Sequence, residues 1–524
     1  MKTAKVFLLG LFICTSLNLY PQEFDTGESE ALPPPPDEER VYVIADFEFD
    51  IKGHTRPFAL VYNLELKRGE EIRGDTNFQA YISDKTQMLI NQRVLKDNAE
   101  LTYSIGEQDE DGRYPVTLII KTEDSWNIIA LPQPRYTSNT GFELTIKARD
   151  YNFLGTMNPL RVDLGYRYDE KGRSSFSFEI DSDTPFRAFG LNWTFLFTNL
   201  FSYRPNVEEK YYYRNITGLS LELPFEATTF TFGFEETVNF NEENSDRNKI
   251  RTEQDFQKGL YMTSRLYGSW KVPTGFLVSR YGELTYTPEL SMSFNHELPN
   301  WPLQEIRYGP SVTFNNSLGF ERINWHANYR EGLSSSINLS YSYNFYRYQN
   351  NEEPSSVTFA LNSTGHFIIS SFFGISARIL YRHWFYNDPP YYESAGDSLR
   401  GILDKSMHAR YMLSLNMDFP FRVLVFVPSQ WFDKTKLRLF DFELQASPVI
   451  DMAVYSDPDT GTSFNPKNAA FSGGLEIIVF PAFFRRLYLR ASIAVNIREL
   501  LTARPFAIPG GDNREISITM GHFY

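Results

Sequence analysis

Cysteine and long apolar runs are what this sequence has least of. Its single cysteine among 524 residues is Cys14, so the chain beyond it forms no disulfide and no thiolate metal site. Past the N-terminus, no run approaches the roughly 20 apolar residues that a membrane-spanning helix needs. Any segment that crosses a bilayer must then be a β-strand, because only helices and closed barrels satisfy their backbone hydrogen bonds within lipid.

The sequence also lacks an excess of positive charge and any recognisable catalytic motif. The net charge is -14 and the pI about 5.2, and no long basic patch is present, which argues against nucleic acid as a partner. There is no Gly-x-Ser-x-Gly, no His-Glu-x-x-His and no phosphate-binding loop, and none of the seven histidines has a partner at metal-ligand spacing. We therefore predict no enzyme activity, no metal and no cofactor.

Aromatic residues are abundant and lie among polar ones. They make up 16% of the chain, while the mean hydropathy is only -0.37. From about residue 140 onward, apolar and polar residues alternate, and the polar positions are mostly Ser, Thr, Asn and Gly, as in a barrel lumen. Typical apolar series are Phe230, Phe232 and Phe234, and Ile337, Leu339, Tyr341, Tyr343 and Phe345.

This pattern predicts a transmembrane antiparallel β-barrel over residues 140–524, with about 16 strands. The count runs from 16 to 18, because residues 307–332 read as one strand and a loop or as two strands. Long connections alternate with short ones, as in outer-membrane barrels. The last strand ends in Met520, Phe523 and Tyr524, which resembles the C-terminal signal of outer-membrane barrels.

One stretch, 392–421, combines a strand with a polar loop. Leu413, Leu415 and Met417 alternate with Ser414 and Asn416, and the alternation continues to Phe421, which predicts a wall with an apolar side and a wet side. The loop before it reads Leu399-Arg400-Gly401-Ile402. The glycine allows a sharp bend, and the arginine is a permanently charged fork that seeks carboxylates.

The first 126 residues divide into three parts. Residues 1–22 are predicted to be a secretory signal peptide; Cys14 could close a lipidation box, but Ile13 is bulkier than the residue that usually precedes such a cysteine. Residues 23–40 are acidic, contain four consecutive prolines and are predicted to be a linker. Residues 41–126 read as β-α-α-β-β, an order that resembles a polypeptide-transport-associated (POTRA) domain, most clearly at Gln87–Leu95.

Leader, POTRA-like domain, barrel and Arg-Gly loop together resemble the BamA-type outer-membrane assembly and transport superfamily, also called the bacterial surface antigen family. Leu399-Arg400-Gly401-Ile402 is similar to its Val-Arg-Gly-aromatic loop. The resemblance implies that this loop folds into the barrel and that Arg400 meets acidic residues of the inner wall. Asp451 is the first expected partner, because residues 449–453 resemble the family's Phe-x-Asp-x-Gly strand, with Ala453 in place of glycine. Glu476 is the second.

The chain also departs from that pattern. Where the family strand reads Glu-x-Arg-x-Pro, this chain has Asn416, Asp418 and Pro420. Where Gly-x-Gly-x-Arg is typical, it has Ser472, Gly474 and Glu476. Both positions lose positive charge, and the chain has room for only one POTRA-like domain. These departures argue against a role identical to that of the essential insertase.

The resemblance implies a protein of the bacterial outer membrane, with its N-terminal domain in the periplasm, that inserts outer-membrane proteins or translocates polypeptides. Its expected partners are outer-membrane lipid, unfolded clients that add to the sheet edge of the POTRA-like domain, and accessory lipoproteins. The alternatives are a two-partner-secretion-type transporter, a passive pore and a surface adhesin.

Overall fold

The computed structural model describes residues 40–137, 141–168, 172–206, 208–225, 228–241, 257–278, 282–386, 393–394, 398–402, 408–432, 435–456, 469–482, 488–498 and 514–520. The predicted signal peptide, the linker up to residue 39, and the predicted terminal signal residues Phe523 and Tyr524 lie outside the described residues.

The N-terminal domain is a four-stranded sheet with two helices. Its elements in order are β1 (Val41–Lys52), α1 (Pro57–Asn63), β2 (Glu71–Arg73), α2 (Asp75–Asn91), β3 (Glu100–Ile105) and β4 (Arg113–Glu123). The sheet order is β2-β1-β4-β3, with β1 parallel to β4. The helices bury Leu60, Phe78 and Leu89 against Ile44 and Leu118 of the sheet.

The predicted order β-α-α-β-β lacked one element, the short strand β2 between the helices. Three residues are too few to show alternation in a sequence. The strand exists because Glu71–Arg73 pairs antiparallel with Val41, Tyr42 and Val43 at the start of β1, a contact between residues about thirty positions apart.

The rest of the described chain is almost entirely strand. The strands are β5 (Ile128–Thr137), β6 (Gly141–Asp150), β7 (Leu160–Tyr168), β8 (Ser174–Ala188), β9 (Leu191–Tyr203), β10 (Tyr211–Phe225), β11 (Thr228–Phe240), β12 (Leu260–Leu277), β13 (Glu283–Glu297), β14 (Ser311–His326), β15 (Tyr329–Asn344), β16 (Ser355–Ser370), β17 (Phe373–Tyr386), β18 (Glu393–Ser394), β19 (His408–Ala409), β20 (Tyr411–Asp418), β21 (Phe421–Phe426), β22 (Phe442–Tyr455), β23 (Ala470–Pro481), β24 (Leu489–Asn496) and β25 (Arg514–Met520). Strands β18 and β19 pair with each other, and the other strands close into one barrel.

Helices are short in this part of the chain. They are α3 (Phe345–Gln349), α4 (Pro428–Trp431) and the 3-10 turns Phe153–Gly155, Glu305–Arg307 and Thr435–Phe440. Among the described residues, no helix is long and apolar enough to cross a membrane.

The number of barrel strands lies at the upper end of the predicted range of 16 to 18. Nineteen segments form it within the described residues. Segments β20 and β21 both pair with β17 and with β22, so they are two halves of one strand that is broken at Pro420, and eighteen strands surround the barrel. One of the eighteen, β5, precedes the predicted start of the barrel.

The barrel also begins earlier than the predicted residue 140. Strand β5 starts at Ile128 and pairs with β6 along its whole length. It contains Pro132 and Pro134, and prolines within an apolar run argue against a strand in an intact ladder. The two prolines hide this strand in the sequence, and the sheet accommodates them at the join between the first and last strands.

Side chains alternate between the two faces of the barrel wall as the sequence pattern predicts. On β11 and β15, Phe232, Phe234, Leu339 and Tyr341 are exposed on the outer face. The neighbouring hydroxyl and amide residues face the lumen. An apolar exterior with a polar interior is the arrangement of a membrane-spanning barrel.

The two ends of the barrel differ. At one end the connections are short, such as 189–190 and 371–372, and at the other they are long, such as 241–259 and 387–410. The N-terminal domain lies at the short-turn end. There Asn152, in the β6–β7 connection, donates to Thr55 Oγ1 at 2.8 Å, and Asn91 contacts Asn324 at 3.1 Å while Arg93 lies over the ring of Trp325.

Gly155 provides a test of this docking. Its φ is +74°, and an added Cβ would lie 2.0 Å from the carbonyl oxygen of His54. Gly155 also accepts a hydrogen bond from the Arg56 N–H at 2.9 Å. We expect Gly155→Ala to release the N-terminal domain from the barrel, measured as faster limited proteolysis between residues 124 and 128.

Gly190→Ala is the matched control. Gly190 has a similar φ of +78°, but its Cβ would meet nothing within 4 Å, so it carries the backbone strain of about 1–2 kcal/mol without the clash. Equal protease sensitivity of the two variants would contradict docking through Gly155.

Candidate functional site

The loop between β17 and β20 reaches the inner face of the barrel wall. Its residues 398–402 are buried. Leu399 and Ile402 pack in an apolar cluster with Leu380, Ala409, Met412 and Ala453. The carbonyl of Ser398 accepts a hydrogen bond from Asn416 Nδ2 at 2.8 Å. The packing of Leu399 and Ile402 and the hydrogen bond to Ser398 thus fix the position of Arg400 in the lumen.

Arg400 is held by Asp451 in a bidentate contact. The Arg400 Nε donates to Asp451 Oδ2 at 2.9 Å, and its Nη2 donates to Oδ1 at 2.6 Å. The backbone N–H of Arg400 donates to Oδ2 as well, at 2.8 Å. Arg400 is 4% exposed and Asp451 1%, so this charge-assisted contact is shielded from solvent. The structure thus brings together the two residues that the resemblance paired.

Two further carboxylates complete the site. The Arg400 Nη1 donates to Asp418 Oδ1 at 2.6 Å and to Glu476 Oε1 at 3.1 Å. Glu476 was an expected partner. Asp418 was not an expected partner. In the sequence it stands where the family strand has an arginine, and it is noted there only as a difference from the family pattern. Its place on the same strand face as Asn416, which alternation requires, was the signal that could have identified it.

A second arginine offsets part of the remaining negative charge. Arg490 on β24 contacts Glu476 at 3.3 Å and is itself buried. Two guanidinium groups therefore face three carboxylates. A buried charge pair gains little net stability when it is complete, but it costs several kcal/mol when one partner is removed, because the other charge stays desolvated. The site therefore favours one position of the loop and penalises others.

Gly401 lets the loop lie flat against the wall. Its φ is +76°, and a Cβ would lie 2.7 Å from the carbonyl carbon of Ala494 on β24. The Gly401 N–H donates to Glu515 Oε2 on β25 at 3.2 Å. Through Asp418, Asp451, Glu476, Ala494 and Glu515, the loop contacts five successive strands, from β20 to the last strand of the barrel.

The last strand, β25, closes the barrel against β5. In the β5–β6 ladder, Tyr151 N donates to Asn127 O, so odd-numbered residues of β5 pair with β6 and even-numbered ones point their N–H groups to the other side. Pro132 and Pro134 are even-numbered. The seam therefore lacks two of the donors that β5 would otherwise present to β25.

Of the three predicted terminal signal residues, the structure describes one. Met520 ends β25, opposite Leu489 of β24, whereas Phe523 and Tyr524 are beyond the described residues. In the part of the chain that the structure describes, no group of three or more His, Cys, Asp or Glu side chains is arranged to hold a metal ion.

Comparison with known proteins gives structural likeness at low similarity. CdiB from Acinetobacter baumannii is 12% identical, with 92% of this chain and 74% of that chain covered and a TM-score of 0.45. BamA from Haemophilus ducreyi lacking POTRA domains 1-3 is 13% identical, with coverage of 91% and 85% and a TM-score of 0.37. No protein-family model and no curated protein matches the sequence. Values of this size do not establish membership of a family.

Arg400→Ala tests the energetic role of the site. The change leaves three carboxylates close together in a buried place, so we expect the barrel to lose about 3–5 kcal/mol of stability. Arg400→Lys should recover only part of it, because an ammonium cannot make the bidentate contact. The measurement is the temperature at which the folded band is lost in semi-native gel electrophoresis.

Arg161→Ala is the matched control within the same lumen. Arg161 pairs with Asp181 at 2.6 Å, but its side chain is 51% exposed, and exposed pairs contribute about 0–1 kcal/mol. If Arg161→Ala lowers the unfolding temperature as much as Arg400→Ala does, the buried ion pairs of Arg400 contribute no more to barrel stability than an exposed pair.

Proposed function

We propose that this chain is an outer-membrane protein of the BamA-type superfamily that inserts or translocates polypeptides, with its N-terminal domain in the periplasm. The observation that carries the proposal is the loop held inside the barrel by Arg400. A passive pore gains nothing from a loop fixed to its wall by three buried carboxylates. A transporter needs such an element, because it must stay closed without a client and open with one.

The seam between β5 and β25 supports the same proposal. Pro132 and Pro134 remove two backbone donors there, and the loop contacts β25 through Glu515. Each backbone hydrogen bond contributes about 1 kcal/mol net. The seam is therefore the least costly place to part the wall, and the strands that part are β5 and β25, not the strand at 141–150.

The N-terminal domain offers a free sheet edge to clients. Gly106 N donates to Pro115 O at 2.8 Å, and alternation then turns the N–H and C=O groups of Leu101, Tyr103 and Ile105 away from β4. Strand β3 is an outer strand of its sheet. An extended client adds to such an edge by main-chain hydrogen bonds, so recognition does not depend on one client sequence. Accessory lipoproteins are the second class of partner proposed for this domain.

Ile105→Pro tests client capture at this edge. The side chain of Ile105 is 45% exposed and its N–H points away from β4, so proline removes an edge donor without breaking the sheet. We expect the rate of client-barrel insertion into proteoliposomes to fall about fivefold, the equivalent of about 1 kcal/mol. Ile105→Ser keeps the N–H and should insert clients at the unmutated rate. Equal rates for proline and serine would remove β3 as the docking edge.

Replacing Pro132 and Pro134 with valine tests the seam. The double variant restores two donors between β5 and β25, so opening should become about thirtyfold rarer and client insertion slower to match. Pro288→Val changes a proline in β13, remote from the seam, and serves as control. Undiminished insertion by the double variant would show that clients do not pass through this seam.

A further inference from the structure

A cavity of about 550 Å³ lies where the N-terminal domain meets the barrel. One wall comes from the ends of β1 and β4 and the start of α1. The other comes from the start of β5, the end of β6 and the β6–β7 connection. Its size suits a small ligand or headgroup. Neither the edge of β3 nor the clasp, by which we mean Arg400 with Asp418, Asp451 and Glu476, involves this cavity.

The walls of the cavity are fixed by hydrogen bonds, so the cavity is preformed. Asp124 Oδ2 accepts from the backbone N–H of His54 at 2.7 Å and from Asn152 Nδ2 at 3.2 Å. Its other oxygen accepts from Thr55 Oγ1 at 2.6 Å. Tyr151 N donates to Asn127 O at 2.9 Å. Asp124 is thereby saturated and acts as a structural brace.

Both signs of charge are left available at the cavity. The Arg56 guanidinium and the His54 imidazole line it and are exposed, and among the described residues neither side chain has a hydrogen-bond or ion-pair partner. Asp150 lines it as well and, within the described part of the chain, its side chain accepts only from the N–H of Asn152, at 3.0 Å. A cation and an anion in one cleft suit a ligand that carries both charges.

The cavity opens toward the lipid-facing side of the barrel. Asp150 stands opposite Ile128 in the β5–β6 ladder, on the face that also carries Ile146. Ile128, Ile146 and Leu154 are exposed, and so is Trp126 just before the first barrel strand. Tryptophan beside apolar side chains at the end of a barrel marks the boundary between headgroups and acyl chains.

We propose that this cavity binds the headgroup of a zwitterionic phospholipid of the phosphatidylethanolamine type. Arg56 takes the phosphate, since its planar fork matches phosphate oxygens, and Asp150 takes the ammonium group. The acyl chains run along Ile128 and Ile146. A lipid in this position bridges the N-terminal domain and the barrel and adds to their docking.

The inference rests on the membrane placement in the proposed function but not on transport. Detergent-purified protein is incubated with equal amounts of phosphatidylethanolamine, phosphatidylcholine and phosphatidylglycerol, and retained lipids are identified by native mass spectrometry. We expect one retained phosphatidylethanolamine per chain. Because no client is present, the result does not depend on insertion or translocation activity.

Variants locate the lipid. Arg56→Ala and Asp150→Asn should each lower retention on the order of tenfold, the usual effect of losing one charge-assisted contact. Arg56→Lys should retain an intermediate amount. Arg73→Ala, on β2 away from the cavity, is the charge-matched control and should leave retention unchanged. Asp150→Asn also alters the acceptor for the N–H of Asn152. If Asp150→Asn folds poorly, lipid retention by Arg56→Ala alone decides whether the cavity holds the lipid.

Three outcomes would overturn the inference. Equal retention of the three lipids would remove headgroup selection, and preference for phosphatidylglycerol would remove the role of Asp150. Displacement of the lipid by inorganic phosphate alone would assign the site to free phosphate. A failed client assay with intact lipid retention would count against the proposed transport function alone.

Discussion

Arg400 carries a charge that must be neutralised where it lies, and most of the site follows from that constraint. A guanidinium cannot lose its proton at ordinary pH, so burying it inside the wall requires carboxylates at hydrogen-bond distance. Asp418, Asp451 and Glu476 supply them from three different strands. The three carboxylates converge only if their strands are in register. The clasp therefore forms only when this part of the barrel is correctly assembled.

The clasp and the seam are mechanically connected. The same short loop that buries Arg400 also touches β25 through Gly401 and Glu515, and β25 meets β5 at the join weakened by two prolines. A loop held by buried ion pairs thus lies beside a join that lacks two backbone donors. Under the proposed function, moving the loop removes a contact from the closing strand and so favours opening at this join.

The barrel fold could be predicted from the sequence because its main signal, side-chain alternation, is local. Side-chain alternation has a period of two residues, so series such as Phe230, Phe232 and Phe234 mark lipid-facing strands without knowledge of their neighbours. The same local reasoning explains the errors. Strand β5 has prolines that look like strand breakers, and β2 is too short to alternate.

The sequence by itself determined the barrel, the apolar exterior, the α+β domain before it and the loop with Arg400, because each depends on residue type and spacing within a short window. Tertiary structure alone decided that Asp418 joins Asp451 and Glu476, that Arg490 contacts Glu476, and that two prolines face the seam. Those facts depend on which strands are neighbours and on which side each N–H points. Such long-range registers follow from closure of the whole sheet, and no short window of sequence contains them.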